Sequence, residues 1–170
     1  METEKWFQRS FEFALPASRF PSLLERLRGT PARLDERARD VAPERLTRVH
    51  PDRWSAQENV GHLLDLERLW VRRAAQYFSG ESELVPADLT NRITTNANHN
   101  ARNLDDLLSG FRTARLELVR LLTNADNTIV TRTAVHPRLK RELRLIDHME
   151  FVADHDDHHL AVIGALTREV

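Results

Sequence analysis

The chain has 170 residues, 25 basic and 26 acidic, and a formal net charge of −1. That length suits a single domain over residues 1–170, and the balanced charge gives no general attraction to nucleic acid or to an anionic membrane. With no cysteine, disulfides, Cys-ligated zinc, iron–sulfur clusters and a Cys nucleophile are excluded, so any metal must be held by His and carboxylate.

Residues 1–16 carry Trp6, Phe7, Phe11, Phe13 and Leu15 and are expected to pack on the body of the protein. The charged N-terminus lacks a secretory apolar core, and no apolar run approaches the roughly 20 residues needed to span a bilayer. A cytoplasmic location is therefore expected. From Ser18 or Pro21, apolar residues recur at three- and four-residue steps through Phe20, Leu23, Leu27, Leu34 and Val41, predicting a first helix. Pro31 lacks an amide and crowds the preceding turn, so a kink or break is expected there.

Pro43 and Pro51 bracket a short helical turn. Ser55, followed three residues later by Glu58, is a capping-box pattern that opens a second long helix to about Phe78. His62 lies there in step with Leu66, Leu69 and Trp70, on or beside a buried stripe. Residues 81–103 are polar and rich in Asn, so the third helix begins near either residue 88 or Leu104. Leu104, Leu107, Leu108, Phe111, Leu118 and Leu122 then form an amphipathic helix. Thr128 to Val135 alternates weakly, as an extended segment would, and His136-Pro137 reads as a turn. The last helix runs from Leu143 to about Arg168.

That helix carries Asp154-His155-Asp156-Asp157-His158-His159. His155 and His159, at i and i+4, project from one face about one turn apart. The spacing suits two ligands on one metal ion. Four amphipathic helices, few strand signals and no repeat predict an all-α four-helix bundle. Metal sites in bundles are built by inward side chains from different helices, so His62 is expected to converge with His155 and His159. Three histidines and an open position suit a catalytic first-row metal. Zn or Ni is expected first, then Fe, Co, Cu or Mn. Glu58 and Asp65, at i−4 and i+3 from His62, are candidates to orient a ligand imidazole. His158 points about 100° away from His159 and is not expected to ligate. His148 fits a solvated or core role, and His50, His99 and His136 read as loop histidines.

Two segments together resemble a known family. Trp54-Ser55-Ala56-Gln57-Glu58-Asn59-Val60-Gly61-His62-Leu63-Leu64-Asp65-Leu66-Glu67 is similar to the W-S-x-x-E-x-x-x-H-L-x-D-x-E signature of the DinB/YfiT-like superfamily. His155-Asp156-Asp157-His158-His159-Leu160-Ala161-Val162-Ile163 is similar to its second signature, H-x-x-H-H-x-x-x-I. The resemblance, nearest the DinB_2 branch, covers a core of about residues 20–168. It implies an up-down-down-up bundle, usually a homodimer, with a divalent metal on the positions of His62, His155 and His159. It also implies chemistry on a small-molecule substrate, as in thiol-dependent S-transferases and a maleylpyruvate isomerase that uses a low-molecular-weight thiol.

Three functions follow as expectations. The first is a metal-dependent enzyme that activates water or a low-molecular-weight thiol, as an S-transferase or hydrolase. The others are a non-catalytic metal- or ligand-binding dimer and a bundle kept for interaction alone.

Overall fold

A computed structural model describes residues 4–168. Four long helices dominate: α1 (Phe20–Ala38), α3 (Ala56–Ser79), α5 (Leu104–Leu122) and α7 (Leu145–Leu166). Shorter helices link them: α2 (Pro43–Leu46), α4 (Arg92–Asn96) and α6 (Asn127–Thr131). The cross-contacts give the topology. Along α1, Arg26, Thr30 and Arg33 meet Asp154, Asp156 and Asp157 of α7 in ascending order, so α1 and α7 run parallel. Gln57 reaches Arg102 at the entry to α5, and Glu67 meets Arg115, so α3 and α5 also run parallel. Asn59 meets His159 while Tyr77 meets Leu143, which sets α3 against α7. The bundle is therefore up-down-down-up.

Local chemistry fixes the helix ends. Ser55 accepts the Glu58 amide at 3.0 Å and Glu58 accepts the Ser55 amide at 2.7 Å, the reciprocal cap expected from the sequence. Gly80, at φ 79°, closes α3 in the left-handed region that glycine enters without strain. The third helix starts at Leu104, where Asn103 accepts the Asp105 and Asp106 amides. The helical residues just ahead of it are those of α4 and a 3-10 turn at His99–Ala101.

Three expectations are corrected. Pro31 does not break α1, which is helical from Phe20 to Ala38. The carbonyl that its missing amide leaves free, that of Leu27, lies 3.4 Å from Arg115 Nη1, which donates to it from α5. The segment after Thr128 is not uniformly extended: it is helical to Thr131, capped by Asp126. A short hairpin follows: its first strand falls in the later part of the segment expected to be extended and its turn begins at Pro137, but the second strand and the pairing were not expected. β1 (Thr133–His136) pairs antiparallel with β2 (Arg141–Arg144), in the register Thr133↔Arg144 and His136↔Arg141. The last helix accordingly begins at Leu145 rather than Leu143. Ser82 to Leu84 line up beside β1, with the Val135 amide donating to Ser82 at 2.8 Å and the Leu84 amide to Val135 at 3.0 Å.

The core has two apolar halves. One is built on Phe20, Leu27, Trp70, Tyr77, Leu118 and Val152, the other on Leu34, Val60, Leu63, Phe111, Leu160 and Ile163. Each bundle helix puts a buried polar residue between its contributions to the halves: Thr30, Glu67, Arg115 and Asp156. These four meet. Arg115 donates to Glu67 at 2.6 and 3.0 Å, to Asp156 Oδ1 at 3.0 Å and to Asp156 Oδ2, which also accepts from Thr30 at 2.9 Å. The aromatic N-terminal segment packs against the first half of the core, through Trp6, Phe11, Phe13 and Leu15. Met1, Glu2 and Thr3 lie outside the described residues.

Candidate metal centre

The Asp/His run of α7 is sorted by its helical period. Asp154 and Asp157 face Arg26 and Arg33 of α1. Asp156 turns into the polar layer with Arg115. His155 and His159 turn towards α3, where they meet His62. All three imidazoles are buried, and one ring nitrogen from each falls within 4.8 Å of the others. His155 Nε2 and His159 Nε2 are 3.2 Å apart. That is close to the ~3.3 Å between two nitrogens on one tetrahedral zinc with ~2.05 Å bonds.

The partners of the other nitrogens decide which one is free. Asn59 Nδ2 donates to the Ser55 carbonyl at 2.7 Å, which turns Oδ1 towards His159 Nδ1 at 2.7 Å. His159 therefore carries its proton on Nδ1 and presents the Nε2 lone pair inward. Thr94 donates its hydroxyl to Asp65 Oδ2 at 2.8 Å, so its oxygen is left to accept from His62 Nδ1 at 3.0 Å. His62 too presents Nε2. Asp65 Oδ2 also accepts from His99 Nε2 at 2.9 Å, completing a line from His62 through Thr94 and Asp65 to His99. His155 Nδ1 is buried with no partner among the described residues. Such outer hydrogen bonds set tautomer and ring angle at metal sites.

Burial pushes His62 down to about 4 and His155 and His159 well below the usual imidazole range. Neutral imidazoles are the form a metal takes. The three residues therefore fit a divalent ion in burial and protonation, with one ring nitrogen of each within 4.8 Å of the others, and His62 and His159 fit it in tautomer as well.

Of the two residues expected to orient a ligand, Asp65 does so through Thr94, while Glu58 is engaged by the Ser55 amide. His158 is half-buried beside Trp6 and stands apart from the cluster of three. Two histidines expected in loops are buried instead. His99 is fully buried against Gly61, where a Cβ would come within 2.2–2.4 Å of the imidazole, so that position admits only glycine as built. His136 ends β1 and is 1% exposed. His148 is fully buried in the core, as one of the two roles foreseen for it. Asn59 and Thr94 were not foreseen. Asn59 stands inside the first motif but without a charge to mark it, and Thr94 belongs to a segment that reads as polar loop.

The three histidines line one side of a cavity of about 620 Å³. Trp6, Trp54, Leu66, Leu69, Trp70 and Phe151 give it an apolar wall. Arg73, His136 and Arg138 also line it.

Replacing Thr94 by Val keeps the shape but leaves the buried His62 N–H without an acceptor. We expect zinc affinity to fall about tenfold or more. Competition with a chromophoric chelator measures it, and unchanged affinity would show that the line to Asp65 does not hold His62.

The family model described as the DinB superfamily matches residues 26–163. No curated protein matches the sequence. Among solved structures, the chain is similar to YfiT from Bacillus subtilis, described as a probable metal-dependent hydrolase with an unusual four-helix bundle topology. The two share 17% identity and a TM-score of 0.80, over 94% of this chain and 92% of that one. At that identity the likeness establishes the fold.

Proposed function

The chain belongs to the DinB superfamily, and on that premise we propose that it is a metal-dependent enzyme whose three-histidine centre activates water or a low-molecular-weight thiol. The supporting observation is the placement of the three histidines: buried, neutral, presenting ring nitrogens to one point, and open to a cavity of about 620 Å³. A structural site would be closed on all sides. When bound, a divalent ion would supply Lewis acidity at its open position and lower the pKa of a water or thiol there.

The chain's own groups do the rest. His62, His155 and His159 would hold the ion, Zn or Ni first. Asn59 and Thr94 fix two of the imidazoles, and Asp65 anchors Thr94. The indoles and leucines of the wall exclude water and receive an apolar substrate body. Water is the simpler nucleophile, because it needs no second binding partner. A thiol must come from outside, since the chain has no cysteine. The description of YfiT as a probable metal-dependent hydrolase is consistent with the water branch. No helix among the described residues is long and apolar enough to cross a membrane.

The test is metal content of untagged protein purified without chelators, beside His62→Ala and His159→Ala. Near-stoichiometric metal in the wild type, absent from both variants while helicity by circular dichroism persists, is the expected result. Turnover of activated esters and amides, with and without added thiols, then separates the two nucleophiles. A wild-type protein that takes up neither Zn nor Ni would overturn the proposal. A loaded protein inert to both panels would leave a metal-binding bundle without catalysis.

A further inference from the structure

We propose that the end of the cavity formed by Arg73, His136 and Arg138 is a subsite for a carboxylate, so that the substrate is an apolar or aromatic acid held by its anionic end. This rests on reading the cavity as the substrate pocket of the metal centre. It adds the chemical class that the pocket selects.

The first observation is charge without a counter-charge. Arg73 is 1% exposed, and its guanidinium donates from Nε to the Val85 carbonyl at 2.9 Å and faces His136 Nε2 from Nη1 at 3.1 Å. Arg138 is half-buried among Trp6, Phe7 and Phe151, with ring centres 5.6, 4.6 and 5.9 Å from its central carbon. It donates to the Trp6 carbonyl at 3.4 Å. Among the described residues no carboxylate pairs with either arginine. Elsewhere in the bundle interior the rule is the opposite: buried Arg115 has two carboxylates. Burying a guanidinium without a partner is costly, and proteins leave such a group where a ligand supplies the charge. The acidic residues of the cavity are Asp52, Glu58 and Asp88. Glu58 is engaged in its cap and Asp88 accepts from Thr90 and Arg92. Asp52 is exposed.

The second observation is a surplus of donors. His136 Nδ1 lies 3.2 Å from the Leu139 amide, and Nε2 faces Arg73 Nη1. Both ring nitrogens meet an N–H, yet a neutral imidazole has only one lone pair to offer. Burial and both arginines hold His136 down to about 3, so the ring is neutral. With Nδ1 accepting from Leu139, the Nε2 proton is directed at the Arg73 proton. An anionic oxygen accepting from both removes that conflict. Trp70, whose ring lies under Arg73, has an indole N–H with no acceptor among the described residues.

The third is placement. Trp6 packs at 5.0 Å from the His155 ring on one side and under Arg138 on the other. Trp70 packs at 5.8 Å from His155 and 5.7 Å from Arg73. Each arginine is thus joined to one of the three histidines by a single indole. A substrate lying along these rings would reach the metal centre with one end and the arginines with the other. The planar fork of Arg matches a carboxylate in two parallel hydrogen bonds.

The test is calorimetric titration of 4-phenylbutyrate and of 4-phenylbutanol into metal-free and zinc-loaded protein, for the wild type, Arg138→Gln and Arg73→Gln. The metal-free arm removes direct ligation of the carboxylate by zinc. We expect the acid to bind metal-free wild type at least about tenfold more tightly than the alcohol. In Arg138→Gln, the more exposed and structurally safer variant, that advantage should shrink to about twofold with alcohol binding unchanged. Equal binding of acid and alcohol, an acid preference seen only with zinc, or a preference that survives both substitutions would each overturn the subsite. A protein that takes up no metal but keeps the acid preference would sink the metal reading and leave the subsite standing.

Discussion

Replacing Arg115 with Met should destabilise the protein by about 3–5 kcal/mol. The guanidinium is fully buried and, among the described residues, is the one cation paired with Glu67 and Asp156 across the layer that separates the two apolar halves. Removing it leaves two carboxylates facing each other out of water. It also strips the Leu27 carbonyl of the donor that replaces the Pro31 amide. Part of the cost is already relieved in the native protein, because burial pushes the Glu67 carboxyl up to about 7. Urea denaturation at pH 7.5 measures the loss. The triple variant Arg115→Met with Glu67→Leu and Asp156→Leu should recover most of it, since an apolar replacement leaves no buried charge. A single variant within about 1 kcal/mol of wild type would mean that water reaches the layer and screens it.

The parts of this molecule that were legible in the sequence are those written in one helix. Ser55 and Glu58 announce their cap because both ends of the reciprocal bond are three residues apart. His155 and His159 announce a shared face because a helix turns every 3.6 residues. His62 could be joined to them because it sits in step with Leu66 and Trp70. What was not legible lies between elements. Thr94 and His99 come from a stretch whose Asn and Thr content reads as loop, and only its folding over α3 turns a polar segment into the support for His62. The pairing was hidden because the strands are four residues each and the second, Arg141 to Arg144, carries three charges, too short and too charged for alternation to register. Pro31 misled for the same reason. Its helix survives through a donor 84 positions further along the chain, which no local rule contains.

The arginines of the cavity show the limit in another form. In a chain with 25 basic residues, Arg73 and Arg138 look like any solvated charge. They become informative only once each is seen to lack, among the described residues, the carboxylate that Arg26, Arg33, Arg39 and Arg115 all have. The fold thus supplies contrast rather than composition. It places two arginines without a carboxylate partner among the described residues and three imidazole lone pairs in one cavity, joined by two indoles.

The metal-free protein should unfold in acid, with its midpoint between about pH 3.5 and 5.5. Burial lowers six histidines: His62 down to about 4, His136 down to about 3, His148, His155 and His159 well below 6.5, and His158 below it. The sign follows from linkage. Between 6.5 and these lowered values the unfolded chain binds the protons and the folded chain does not, so stability present above pH 6.5 is lost as pH falls. Glu67 and Glu150 work in the other direction: burial raises both, Glu67 up to about 7, so the folded chain binds protons there that the unfolded chain does not. About four protons remain, on the order of 5 kcal/mol for each pH unit. A domain with roughly 5–15 kcal/mol of stability is exhausted within one to three units. Surface carboxylates such as Asp88, held down at about 2 by Thr90 and Arg92, titrate too low to cause this. Unfolding free energies from urea at pH 7.5, 6.5, 6.0 and 5.5 give the proton count as the slope. His148→Leu should reduce it by one, since that imidazole has no hydrogen-bond partner among the described residues and lies outside the cluster of three histidines. Zinc, binding only the folded form, should move the midpoint to lower pH, and a chelator should restore it. A metal-free protein whose stability is flat from pH 7.5 to 5.5 would contradict the account, because its histidines would then be reached by water.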